Sequence, residues 1–85
     1  MESEAEGKGV REILLLVSPI CEESLEAVFK LRKLISGKGY SLREVSILER
    51  EGLRIASEYG IKRIPAAILG NRILFQGKIP EDLFL

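Results

Sequence analysis

The sequence predicts an α/β domain, and three features carry that prediction. Residues 13–17 form an unbroken apolar run, the mark of a strand covered on both faces. Residues 22–36 hold Leu25, Val28, Phe29, Leu31, Leu34 and Ile35 at helical spacing. Two short apolar runs later in the chain flank Gly70-Asn71, a loop suited to a tight hairpin. Together they give the order β-α-β-α-β-β, a four-stranded mixed sheet with a truncated C-terminal helix.

Residues 1–9, MESEAEGKG, are acidic and offer nothing to pack, so a disordered tail is expected before a domain over 10–85. The first strand runs from Val10 and ends before Pro19. Its successor helix has Glu26 and Lys30 four residues apart in the favourable order, and Gly37 and Gly39 stop it. Residues 41–48 alternate, with Val45 and Ile47 set against Glu44 and Ser46, which predicts an edge strand buried on one face. A short helix over 50–59 uses Leu53, Ile55, Ala56 and Tyr59 for packing and takes Gly60 as a left-handed cap. Residues 66–69 and 72–75 form the hairpin, a Gly-first loop favouring a type II′ turn. Pro80 fits the first position of a last helix, followed by Glu81 and Asp82. A strand, helix and strand in succession imply a parallel pair with a right-handed crossover.

Composition narrows the function. Thirteen basic and thirteen acidic residues cancel, whereas nucleic-acid binders need concentrated positive charge. The chain has one cysteine and no histidine, so neither an internal disulfide nor a metal site is expected. The acidic start does not resemble a signal peptide, and no apolar run approaches the roughly 20 residues of a membrane span. A cytoplasmic location and no membrane partner are therefore expected. Abundant Glu, Lys, Arg, Ile and Leu, with few amides, point to a thermophilic source.

The stretch SPICEES holds Cys21 where the first helix begins, with Ser24 at the place of a second cysteine in a C-x-x-C pair. A helix N-terminus favours the thiolate that disulfide exchange requires. Downstream, IASEYGIKRIPAAILGNRILFQG places Tyr59, Gly60, Ile61, Ile64 and Pro65 ahead of the hairpin. With the element order, these residues resemble the thioredoxin-like superfamily over most of the chain. The resemblance implies a cis Ile64-Pro65 bond beside Cys21, with the Ile64 backbone groups held outward to pair with an extended peptide. It implies Cys21 and Ser24 as the catalytic pair, and Ile64, Pro65, Pro19 and Ile20 as the substrate-binding set.

The departures shape the chemistry. Ser24 lacks the thiol that would resolve a mixed disulfide and can at most donate a hydrogen bond to the Cys21 thiolate. The buried Asp common on the first strand of thioredoxins is Leu15 here, and the usual tryptophan is Ile20. Glu22 and Glu23 oppose thiolate formation, while Lys62 and Arg63 offset them if they face the same groove. The leading expectation is a single-thiol thiol-disulfide oxidoreductase, resolved by an external thiol such as glutathione or another low-molecular-weight thiol as co-substrate. Its partners would be protein or small-molecule disulfides. A redox-inactive module that binds peptides in the cis-proline groove is the alternative. A glutaredoxin sharing an iron–sulfur cluster ranks below both, because Glu22 and Glu23 replace the neutral pair of C-G-F-S. The apolar end, Leu83 to Leu85, is expected to dock locally or on a second copy as a weak homodimer.

Overall fold

Strand β1, Arg11–Val17, organises everything else, with sheet order β2-β1-β3-β4 placing it between two partners. The computed structural model describes residues 11–83; the expected tail, Val10, Phe84 and Leu85 lie outside them. Helix α1 is Glu22–Ile35, β2 is Tyr40–Ser46, α2 is Arg50–Tyr59, β3 is Ala66–Leu69 and β4 is Arg72–Gln76. β1 pairs in parallel with β2, Leu16 opposite Val45, and antiparallel with β3, Leu16 opposite Ala66. The expected four-stranded mixed sheet with two helices is what forms.

The apolar run of β1 is unbroken because each face of the sheet carries its own helix. Ile13 and Leu15 pack with Ala67, Leu69 and Phe75 beneath Ala27, Leu31 and Ile35 of α1. Leu16 packs on the other face with Val45, Ala66, Ile68 and Ile55 of α2. Ile13, Leu15 and Leu16 are completely buried, each contributing about 1.5–3 kcal/mol of transfer free energy.

The core face of α1 differs from the expected stripe. Ser24, Ala27, Leu31 and Ile35 are buried, whereas Leu25 and Phe29 are exposed. Small Ala27 lets the helix approach the sheet, and Ser24 is drawn inward by a backbone hydrogen bond described below. Strand β2 ends earlier than expected, at Ser46, because the chain turns there. The Ser46 carbonyl accepts from Glu49 N–H at 3.1 Å, and its hydroxyl accepts from Leu48 N–H at 3.0 Å. β4 extends one residue further, to Gln76, and an irregularity opposite Ala67 and Ile68 lets both Leu74 and Phe75 join the α1-side core.

The last helix does not form within the described residues. Glu81 and Asp82 make a turn, and Leu83 has no regular structure. Ile79 is instead buried in the α1-side core, and Leu83 packs against that core, which is the local one of the two dockings expected for the apolar end.

Two further contacts fix α2. Its C-terminus closes on Gly60 (φ 64°), whose N–H bonds Ser57 O while Ile61 N–H bonds Ala56 O at 2.8 Å, a Schellman end. Arg43 of β2 donates to both carboxylate oxygens of Glu51 at 2.6 Å. That hydrogen bond, and then the attraction of the two charges, raises the Arg43 pKa above its ordinary value.

Gly52 sets how closely α2 meets the end of β2. A Cβ there would stand 2.1 Å from the Ser46 carbonyl oxygen, a backbone atom. Gly52→Ala therefore forces α2 outward, and overpacking of this kind costs about 1–3 kcal/mol, outweighing the roughly 1 kcal/mol gain in helix propensity. Urea denaturation is expected to show a lower midpoint for the variant; an equal or higher midpoint would contradict this packing.

Candidate functional site

The chain leaves β1 into a turn built around Ser18. Ser18 is buried and uses three groups: its carbonyl accepts from Cys21 N–H at 3.1 Å, its hydroxyl from Ile20 N–H at 3.4 Å, and its own N–H donates to Ser24 Oγ at 3.0 Å. Pro19 occupies the second turn position, where its fixed φ is favourable. Cys21 thus becomes the N-cap of α1 (φ −107°, ψ 118°), and its side chain makes no capping hydrogen bond. The sulfur-bearing residue is half-buried.

The helix terminus supplies the electrostatics. The Cys21 carbonyl accepts from Ser24 and Leu25 N–H at 3.1 and 3.3 Å. The Glu22 and Glu23 N–H groups have no partner among the described residues, so the first turn keeps free donors next to Cys21. Such a terminus stabilises negative charge.

Ser24 is 1% exposed, its oxygen accepts from Ser18 N–H, and no hydrogen bond to Cys21 sulfur is found among the described residues. Its role here is to tie α1 to the end of β1. Pro19 and Ile20 are exposed, Ile20 at 90%, and flank Cys21 on its outer side.

The 60s loop reaches the same end of the sheet. Leu16 pairs with Ala66, so the residues after β1 and those before β3 emerge together. The Ile64-Pro65 bond is cis, as expected. Pro65 is completely buried and its carbonyl accepts from Gly77 N–H at 2.7 Å, so its ring supports the loop and does not face an incoming ligand. Ile64 is half-buried, and neither its N–H nor its C=O has a partner among the described residues. Glu23 of α1 and Ile64 line one groove of about 350 Å³, with Arg63, Gln76, Gly77 and Lys78. Arg63 therefore faces the first turn of α1, while Lys62 lies outside this groove.

Gln76 and Gly77 are site residues that the sequence did not reveal. Gln76 Oε1 accepts from Lys62 N–H at 2.8 Å and from Arg63 N–H at 3.3 Å. Gly77 (φ 88°) takes a left-handed conformation, with the Arg63 side chain lying across it. The contact links residues about fourteen positions apart in sequence, and no local pattern announces it. Ser18 did have a signal, since a serine before proline favours a turn.

The site lies beyond the carboxyl end of β1, where that strand is flanked by the end of β2 and the start of β3. Among the described residues there is no cluster of His, Cys, Asp and Glu able to hold a metal, and no helix is long and apolar enough to cross a membrane.

No protein-family model matches the chain, and no curated protein matches it. Among solved structures it is similar to a malarial protein, with a TM-score of 0.61, 20% identity, and coverage of 82% of this chain and 81% of the other. At that identity the likeness shows the fold alone.

The Gln76 contact can be tested directly. Gln76→Leu is expected to accelerate hydrogen exchange at the Lys62 amide and to cost about 1 kcal/mol in urea denaturation. Gln76→Glu keeps an acceptor and should restore the protection. Equal exchange in both variants would show that Gln76 does not hold the loop.

Proposed function

We propose that the protein is a thioredoxin-like, single-thiol thiol-disulfide oxidoreductase acting through Cys21. The observation that carries this reading is the position of a half-buried, uncapped cysteine at the N-terminus of α1, at the sheet end where Ile64 presents unpaired backbone groups. The Cys21 thiolate attacks one sulfur of a substrate disulfide. A Cys21–substrate disulfide forms, the original S–S bond breaks, and the second substrate sulfur leaves as a thiolate. An extended substrate pairs with Ile64 N–H and C=O, which aligns its disulfide. Pro19 and Ile20 form the outer side of the contact, and Pro65 supports Ile64 from beneath.

Ser24 takes no part in the second step. Carrying a hydroxyl in place of a thiol, it leaves the mixed disulfide for an external thiolate. That thiolate attacks the substrate-side sulfur, forms a new disulfide with it, and returns Cys21 as thiolate. No electrons are gained or lost across the exchange. Glutathione or another small thiol meets the requirement.

Incubation with oxidised glutathione is expected to add one glutathione moiety to the intact mass. Cys21→Ser should abolish the adduct, and added thiol should reverse it. Ser24→Cys supplies an internal resolving thiol and is expected to release the adduct without an external one. Failure of Cys21 to form the adduct would favour the redox-inactive peptide-binding module.

A further inference from the structure

We propose that a second groove, between α2 and residues 61–64, docks an extended client segment in which a branched apolar side chain is flanked by carboxylates. This deepens the exchange reading by naming a substrate class, and it rests on a site separate from the sulfur.

The Schellman end at Gly60 sends the chain back alongside α2 and leaves a groove of about 210 Å³. Leu53 and Ala56 of α2 form one wall, and Ile47, Ile61 and Ile64 form the rest. Leu53 is 59% exposed, and Leu48, which follows the lining residue Ile47 in the chain, is 69% exposed. The volume is below the roughly 300 Å³ at which pockets for drug-sized ligands begin. It suits one side chain.

Charge selects the occupant. Lys62 and Arg63 border the groove, both exposed, and Arg63 also borders the groove shared with Glu23. The ion pairs found among the described residues are Arg32–Glu44, Arg43–Glu51 and Arg54–Glu58, and none engages either rim residue. An apolar floor under a basic rim complements an apolar side chain with acidic neighbours. A second copy of this chain fits poorly, since a two-fold contact over the groove would set the basic rim against itself.

Geometry makes the segment extended. Ile64 lines both this groove and the one shared with Glu23, and its N–H and C=O are unpaired among the described residues. A strand pairing there presents alternate side chains to opposite sides. One side chain can enter the apolar groove while the segment continues towards Cys21.

The test uses Cys21→Ser, so that binding is read without sulfur chemistry and its failure is distinct from failure of exchange. A fluorescein-labelled, capped peptide, Glu-Asp-Leu-Ile-Glu, is titrated by anisotropy. Saturable binding is expected. It should weaken about tenfold when Lys62→Glu and Arg63→Glu are combined, or when the peptide acids become lysines. The lysine peptide should prefer the charge-reversed protein. Leu53→Glu, at an exposed position, should also abolish binding. No saturable binding, equal affinity for the acidic and lysine peptides, or indifference to Leu53→Glu would each overturn the assignment. So would a two-chain mass that Leu53→Glu reduces to one, because the groove would then belong to a second copy.

Discussion

The two-sided pairing of β1 is the constraint on which the rest depends. Its neighbours run in opposite senses, so the strand's carboxyl end meets the end of β2 and the beginning of β3 at one place. Burial of Ile13 and Leu15 under α1 and of Leu16 under α2 fixes the register, because a one-residue slip would exchange the two faces. Everything of functional interest follows from where that register ends. The Ser18 turn, the first turn of α1 and the Ile64 loop are brought together by the core beneath them, and the Ser18–Ser24 hydrogen bond ties the first two to each other.

The site is rigid where it supports and open where it could react. Ser18 and Ser24 are buried and bonded to each other, Pro65 is buried beneath its loop, and Gln76 holds Lys62 and Arg63 from the hairpin side. Against that frame, Cys21, Ile20 and Ile64 retain exposed surface, and the Cys21 side chain has no capping bond to break. The Ser24 hydroxyl closes the link between strand and helix. In the proposed function this centre captures a sulfur and leaves its release to an external thiol.

Element order was legible because it is written in local patterns. The run at 13–17 required cover on both faces, Gly60 and Gly70 marked turns that demand positive φ, and both have it (64° and 63°). The core face of α1 was misread because hydrophobic spacing favoured Leu25 and Phe29, whereas the Ser18 N–H draws Ser24 inward and small Ala27 sets the approach. Pattern weighs apolarity and cannot weigh a hydrogen bond six residues away. The final helix was inferred from capping chemistry at Pro80, but Ile79 is pulled into the core and the segment is left as a turn. At the site, Cys21 and Ile64 were nameable from sequence, while Gln76 and the groove beside α2 depend on packing that links distant segments.

The central claim is that the first turn of α1 and the loop before β3 form one surface. Proton–proton Overhauser contacts in the free protein test it most directly. The account predicts cross-peaks between the side chains of Cys21 or Glu23 and the Ile64 methyl groups, together with Leu16–Ala66 contacts across the strands. A spectrum with the strand contacts but no contact from either residue to Ile64 would contradict it.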